Sequence, residues 1–491
     1  MRAQIDAEVE GDGLPASVGA YLQLIACNRA SAPCAKLRLR RWYEQTALAA
    51  ELGVAASALD HRRVWDAMDR VSEAAIERVQ ERLGERLVEL GELEEGEVLV
   101  FDPTNLFTFI ASANERSQLA RRGHSKQGRH DLRQVGLALV TTRGHRLPLL
   151  HHVYAGDRPD APTFRELAER LQRRFRTVLE VAESVTLVYD RGSHSDRALT
   201  LFEPGEFHFV CGLQANRFRE RLEVAPDRLA AIAELPGYQA HRSAVTIEGR
   251  RYTLLCVRSQ SFFQRQQEGF RQTLAKALRE LTALARPLEL GRGRRTRSEL
   301  AAVVASILEP RYVQRVLAVA VGGSQQAPTL SYRLDEQALA LLEERVFGRS
   351  LLLTDRADWS EADIVRAYHA LNANEEAIRT VKDAHYLAAR PIFHWTDQKI
   401  RVHVFCCVLG LLLTQLIWKR ADARGLEASP QRLLEALAQL DRIELVYPPA
   451  GGGRGRPRIR RHLGEPSGLQ LDLLAALDFD PERVGTTPPG S

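Results

Sequence analysis

The pattern of apolar and polar positions divides the chain into a helical beginning, an α/β middle that is interrupted once, and a helical, basic end. Residues 14–95 carry apolar positions at helical spacing, as in Val64, Met68, Val71, Ile76 and Val79, with no strand-like run. Val98-Leu99-Val100-Phe101 is then a continuous apolar run between the acidic stretch Glu94-Glu95-Gly96-Glu97 and Pro103. It predicts a strand buried on both faces with Asp102 at its exit. Residues 134–142 and 146–155 predict two further strands joined by the turn Arg143-Gly144-His145, an antiparallel run of three with the first. Thr163 opens a capping box with Glu166, and the helix that follows places Phe164, Leu167, Leu171, Phe175 and Val178 on one face. Val185 to Tyr189 repeats the buried-strand pattern, again with an aspartate, Asp190, at its end. A short helix around 195–202 and a strand over 207–211 complete this series.

The order strand, strand, strand, helix, strand, helix, strand is that of an RNase H-like core, in which the first and fourth strands are neighbours and Asp102 would meet Asp190. A strand-end carboxylate needs a hydrogen bond, a cation or a metal, because leaving it desolvated and alone costs several kcal/mol, on the order of the ion penalty in real proteins. Residues 216–349 break the rhythm and read as an insertion: a hairpin around Glu248-Gly249, a long polar helix over 263–285, a basic linker at 291–297, a helix over 298–308 and strands near 316–321 and 329–334. The core resumes with Leu351-Leu352-Leu353-Thr354-Asp355 and a helix starting near Ser360. The expected fold class is therefore α/β, an RNase H-like mixed sheet flanked by helices and interrupted by a β-rich insertion, behind a helical N-terminal domain. The expected parts are 1–95, 96–215, 216–349, 350–420, and a C-terminal helical segment with a basic, Pro/Gly-rich tail over 421–491. In the N-terminal part, Ala49, Gly53 and Leu59 fall where a helix-turn-helix needs a small residue, a turn glycine and a buried apolar residue, with Arg62 and Arg63 beyond. A plain helical bundle fits the same spacing.

Composition adds little by itself. The 491 residues correspond to roughly three domains at about 150 residues each, and 68 Lys+Arg against 63 Asp+Glu leave a net charge of only +5. The distribution of charge says more: basic clusters at 36–41, 121–129, 292–297 and 454–461 suggest local phosphate-facing patches, or solvated arginines. The six cysteines form no C-x-x-C pair and no zinc spacing, so a reducing, cytoplasmic setting is expected. The acidic N-terminus is unlike a signal peptide, and the apolar run 404–413 is well short of the ~20 residues of a membrane span. It is expected to be a buried helix, and no membrane partner is expected.

The helix after Ser360 carries the third chemical signal. At about 100° per residue from Tyr368, Glu375 lies near 340°, Arg379 near 20° and Lys382 near 320°, whereas Glu376 lies near 80°. A tyrosine, a carboxylate and two cations thus share one stripe. Three carboxylates from two adjacent strands and a facing helix suit two Mg²⁺ ions, which prefer oxygen ligands and keep positions open for water and phosphate.

With these residues in view, the chain resembles the DDE transposases of bacterial insertion sequences, in the class with a β-rich insertion before the catalytic Glu and a Tyr, Arg, Glu, Lys signature. Tyr368, Glu375 and Lys382 fall at the signature spacings, and Asp102-Pro103-Thr104 and Asp190-Arg191-Gly192 resemble the first and second acidic motifs. The stretches 124–134, 156–160 and 390–403 also resemble family segments, so the similarity spans most of 98–420. Leu371 stands where the signature has Arg, so a contact to the element end is missing or supplied by another residue such as Arg379. The resemblance implies metal-dependent DNA cleavage at element ends and strand transfer into target DNA. Asp102, Asp190 and Glu375 would be the catalytic and metal-binding residues for two Mg²⁺, with Mn²⁺ able to substitute. Tyr368, Arg379, Lys382 and Arg191 would contact DNA, with His124, Lys126 and Arg129 as further backbone contacts. Double-stranded DNA, as element ends and as target, is the implied partner, engaged by a homodimer. Two other classes fit part of the pattern: a catalytically silent, transposase-derived DNA-binding protein, and an RNase H-like nuclease acting on another nucleic acid.

Overall fold

The computed structural model describes residues 1–93, 98–125, 128–159, 162–170, 185–195, 199, 202, 207–215, 218–448 and 458–480. Its mixed α/β chain divides into two compact units, Met1–His208 with His369–Ser491, and Phe209–Tyr368.

The first unit begins with helices, as the periodicity predicts. The principal ones are α1 (Val18–Ser31), α2 (His61–Asp69) and α3 (Glu73–Glu89). Each is opened by a side chain that accepts from an orphan backbone N–H: Ser17 from Ala20, Asp60 from Arg62 and Ser72 from Ala75. Around the candidate helix-turn-helix, Gly53 takes the left-handed conformation (φ +62°) and Leu59 is buried, but the helix before the turn, Leu48–Glu51, is only four residues long.

Strands β1 (Val98–Phe107), β2 (Gln134–Thr142), β3 (Pro148–Ala155) and β4 (Val185–Tyr189) form the sheet of this unit in the order β3-β2-β1-β4. β1 is antiparallel to β2, β2 to β3, and β1 is parallel to β4. The β4 ladder stops at the Phe101↔Tyr189 pair, two residues short of Pro103, so the missing proline N–H interrupts no β4 rung. A helix, α4, covers residues 162–170. The expected continuation of its apolar stripe (Leu171, Phe175, Val178) and most of the short helix expected at 195–202 lie outside the described residues.

The second unit holds β5 (Phe207–Leu213, from Phe209 on), β6 (Ala230–Ala231), β7 (Tyr238–Ile247), β8 (Arg250–Ser259), β9 (Leu317–Gly323), β10 (Pro328–Leu334) and β11 (Arg349–Thr354). Its sheet runs β5-β11-β8-β7-β6 with every pair antiparallel, and β9 and β10 form a separate hairpin. Helices α5 (Gln260–Glu289) and α6 (Arg297–Leu308) lie between them in the chain. The expected boundaries at 216 and 349 both fall inside this unit. The strand Leu351–Thr354, expected to resume the core, pairs here with β5 and β8.

Helix α7 (Glu361–Lys382) begins in the second unit and ends in the first, and α8 (Asp397–Asp422) follows. With a mean hydropathy of 2.0, α8 is long and apolar enough to cross a membrane by composition, yet 78% of that window is buried in the protein. It is apolar all round because it has two partners. Val402, Phe405, Cys406 and Leu409 pack into the N-terminal helical core, while Ile400, Val404, Cys407 and Leu411 pack with the sheet residues Val135, Leu137 and Leu139. At Gly410 a Cβ would come within 2.8 Å of the Leu387 side chain and 3.1 Å of the Ala26 carbonyl, so only glycine lets α8 lie this close to α1.

The C-terminal end departs from the expected helix and tail. After α9 (Pro430–Ala438) come β12 (Arg442–Tyr447) and β13 (Arg458–Leu463), an antiparallel hairpin, and then α10 (Gly468–Ala476). Residues 443–447 are exposed, so no buried face marks them, and only the β-branched and aromatic Ile443, Val446 and Tyr447 signal the strand.

Candidate functional site

The site is built on β1 and its neighbours. Phe101 and Tyr189 are partners in the parallel ladder, and both rings pack on Phe164 of α4, at centroid distances of 4.9 and 4.3 Å. Side chains alternate along a strand, so Asp102 and Asp190, one residue on, point to the opposite face. Phe101↔Tyr189 is the last pair of the ladder, so Asp102 and Asp190 occupy neighbouring positions just beyond it. Asp102 is half-buried, and Asp190 is exposed at the start of the turn that Ser193 closes by donating its N–H to the Asp190 carbonyl (3.0 Å).

That opposite face lies under α7. Asp102 is paired with Leu139 and Thr104 with Leu137, and both leucines share a core with Ile378 and Val381 of α7. Two polar contacts fix the register. Thr141, opposite Val100, donates its hydroxyl to the buried Asn374 Oδ1 (2.9 Å), and Lys382 Nζ donates to Thr104 Oγ1. From Asn374 to Lys382 the helix advances ~12 Å, and from Val100 to Thr104 the strand advances ~13 Å, so the two run in step. Asp102, midway on the strand, therefore faces the helix around Ile378.

The helical angles then sort the remaining side chains. Taking Ile378 as zero, Asn374 and Val381 lie at about −40° and −60°, on the β2 side. Lys382 and Glu375 lie at about +40° and +60°, on the flank toward β4 and Asp190, with Arg379 further round at about +100°. Glu376, at about 160°, is turned away from the sheet and pairs with Arg146 (2.8 Å). Glu375 and Arg379 are exposed. Leu371, at about +20°, is on the sheet-facing stripe.

The Asp102 and Asp190 pair fits a hard divalent cation, since it offers carboxylate oxygens from two adjacent rigid strands. The expected three-carboxylate cluster is not assembled: among the described residues no group of three or more His, Cys, Asp or Glu is placed to hold a metal ion. The cause is geometric, because Glu375 projects from the flank of α7 into solvent rather than down onto the sheet.

The other expected contacts are distributed. Arg191 is exposed directly after Asp190. His124 is exposed, and its carbonyl accepts from Asn105 Nδ2 (2.9 Å) and Gln134 Nε2 (3.0 Å), which ties its loop to β1. Arg129 is engaged with Asp131 through a bidentate pair (2.9 and 2.8 Å) and lies 5.7 Å over the Phe107 ring. That guanidinium pulls the Asp131 carboxyl down to about 2. Lys126 lies outside the described residues. Tyr368 belongs to the second unit, where its hydroxyl end fills the space a Cβ at Gly212 of β5 would need.

Two groups that the periodicity passes over position α7. Asn374 is legible as a polar residue on an apolar stripe, but its partner Thr141 is 233 residues away. Arg390 donates its Nε to the Lys382 carbonyl (3.1 Å) at the end of α7 and lies 5.2 Å over the Phe107 ring.

No family model matches the chain, and no curated protein matches it. Among solved structures the chain is similar to the cryo-EM structure of a piggyBac transposase synaptic complex with hairpin DNA. The identity is 9% and the TM-score 0.37, over 89% of this chain and 74% of that one.

Proposed function

We propose that the chain is a transposase of the DDE insertion-sequence class, which cuts DNA at element ends and joins the freed ends to a target. The observation that carries this reading is the parallel register of β1 and β4, in which Phe101↔Tyr189 sets Asp102 beside Asp190 under α7. The strand order β3-β2-β1-β4, with one parallel pair and two antiparallel ones, supports an RNase H-like core.

Asp102 and Asp190 would hold Mg²⁺, and Glu375 would complete the donor set by turning from solvent toward the pair. Bound there, divalent ions would activate water or a 3′-hydroxyl and stabilise the leaving oxygen of a phosphodiester. The chain's own work is positioning. Thr141 and Asn374 lock α7 over the sheet, and Lys382 holds Thr104 two residues from Asp102. Arg379, exposed on the flank of α7, and Arg191, exposed directly after Asp190, would take DNA phosphates, which fixes register without reading bases.

The exposed Glu375 favours a second reading, a DNA-binding protein of the same descent without cleavage. One experiment separates the two. Asp190→Asn removes a metal ligand with little change of volume, so duplex binding in a gel-shift assay persists while Mg²⁺-dependent nicking, present in the wild type, disappears. Absence of nicking in the wild type supports the second reading, and nicking by the Asn variant removes Asp190 from the site.

A further inference from the structure

Beyond Lys382 the chain turns back along the end of β1. Phe109 N–H donates to the Ile392 carbonyl (2.9 Å) and Ile392 N–H to the Phe107 carbonyl (3.2 Å), a parallel bridge that fixes the segment carrying Phe393, His394 and Trp395. Asp397 ties its far end to a neighbouring loop, accepting from Ser117 Oγ (2.6 Å) and from the N–H groups of Gln118 and Leu119 (both 3.1 Å). Between this segment, the start of α8 and the stretch 33–38 lies a cavity of about 680 Å³. That size is within the usual range of ligand pockets, about 300–1,000 Å³.

The wall of the cavity is cationic: Arg29, Lys36, Arg38, Arg116, Arg390 and Lys399 line it, and among the described residues no Asp or Glu does. Lys399 has a carboxylate partner outside the lining, Asp69 at 2.9 Å. Lys36, at the floor, has imidazoles instead, with Nζ 3.1 Å from His403 Nδ1 and 3.3 Å from His394 Nε2. His403 Nε2 lies 3.3 Å from the Ala389 carbonyl, so that nitrogen carries the proton and Nδ1 accepts from Lys36. Burial and the neighbouring Lys36 charge keep both imidazoles neutral, His394 down to about 2. Burial brings Lys36 down to about 8, which still leaves it mostly cationic at neutral pH. An ammonium has three donors; two are used, and the third remains for an acceptor in the cavity. A desolvated cation held by neutral partners is what an incoming anion would stabilise.

The mouth has a different chemistry. Trp395 is 58% exposed, Phe393 69% and Trp65 38%, and Arg116 lies 5.6 Å over the Trp395 ring. A simple inorganic anion would use the floor and leave these aromatic faces in water. Phosphate-seeking cations below flat rings match a nucleotide, whose base can stack while its phosphate is held.

We propose that this cavity binds a nucleotide unit of a DNA strand, its phosphate toward Lys36 and its base against Trp395. The proposal rests on the reading of the chain as a DNA-processing protein and adds a second contact point to it. From Asp102 to Phe107, whose ring lies under the cavity-lining Arg390, β1 advances five residues or ~17 Å, about five base-pair steps at ~3.4 Å each.

The test uses the full chain and a fluorescein-labelled, 5′-phosphorylated single-stranded octathymidylate, with binding read by anisotropy over a salt series. Trp395→Ala and Lys36→Met are each expected to weaken binding on the order of tenfold, and Lys36→Met also to flatten the salt slope by about 0.7. Trp395 is exposed, so its variant reports on stacking without a folding defect. Equal binding by both variants and the wild type overturns the proposal. Displacement of the octamer by equimolar inorganic phosphate also overturns it, because the cavity would then be an anion site without a role for the base. Asp102→Asn distinguishes the two levels of the account, since Asp102 does not line the cavity. Octamer binding that depends on Trp395 and Lys36 in a wild type that does not nick DNA supports the cavity and sinks the catalytic reading. Nicking that depends on Asp102, with octamer binding indifferent to Trp395 and Lys36, does the reverse.

Discussion

Strand β1 serves two polar regions built in opposite ways. Near its middle β1 carries Asp102, which is not at the strand's exit as the apolar run predicts, because pairing with β2 carries the strand on to Phe107; Asp190 follows the end of β4, and the third carboxylate, Glu375, stands in solvent on α7. Beyond its end, Lys36, His394 and His403 are in contact with one another, and six cations line a cavity that opens to solvent. The acidic region has two carboxylates on the sheet and a third exposed on a helix, whereas the basic region has a buried interior and an exposed aromatic rim. A site that must gather a cation and a phosphate before it reacts gains from remaining open, because like carboxylates repel until a cation arrives. A site that only holds a strand gains from being formed in advance, since less ordering is left to do on binding.

The largest expected effect falls on the acidic side. Asp102→Asn should reduce Mg²⁺-dependent nicking by about a thousandfold or more, as loss of a ligand from a metal clamp removes several kcal/mol of transition-state stabilisation. Retention of a tenth of the wild-type rate would mean that the carboxylates are structural. The scaffold is probed next with Asn374→Ala. This breaks a buried hydrogen bond to Thr141 and should cost about 1–3 kcal/mol in urea unfolding, with a matching loss of nicking because α7 loosens over the sheet. If stability falls and nicking does not, α7 is not part of the reacting geometry.

The enclosed region should dominate the acid response. His394 and His403 are held neutral, and His152 is lowered to about 4 by burial and by Arg170. Each folded-state pKa lies below the unfolded value of about 6.5, so their contribution is complete above about pH 6.5 and is lost as pH falls from there, down to about 4 for His152 and to about 2 for His394. Thermal melting should therefore drop between pH 6.5 and 4, and the drop should be smaller in His394→Phe. A flat profile across that window would contradict neutral, enclosed imidazoles. The smallest effect is expected on the outer face of α7, where Glu376→Gln removes only a partly exposed pair with Arg146 and should change stability by no more than about 1 kcal/mol.

Much of the acidic region was legible because its signals are local. Four apolar residues before Asp102 and the run Val185-Thr186-Leu187-Val188-Tyr189 before Asp190 announce buried strands, and periodicity along 368–382 separates Glu375 from Glu376. The parallel pairing of β1 with β4 followed from element order, and the ladder contains it. The basic region was not legible, because its parts are far apart: Lys36 meets its histidine partners across 358 and 367 residues. In the sequence Lys36 is one of several cations in the cluster 36–41, which reads as a phosphate-facing patch or as solvated arginines, and nothing local shows that Lys36 turns inward. The hairpin β12–β13 escaped for a related reason, since an exposed ribbon shows no buried face from which periodicity can be read. Glu375 marks the limit from the other side: sharing a helical stripe with Lys382 does not bring its side chain down onto the sheet.

The central claim is that Glu375, and not its neighbour, joins Asp102 and Asp190 when DNA is cut. It is tested most directly by assaying Glu375→Gln and Glu376→Gln on one duplex at fixed salt, with Mg²⁺-dependent nicking as the readout. The 375 variant should be inactive, and the 376 variant should nick within about twofold of wild type, in keeping with a surface substitution of about ±0.5 kcal/mol. An active 375 variant beside an inactive 376 variant would contradict the register of α7 over β1, and with it the assignment of the site.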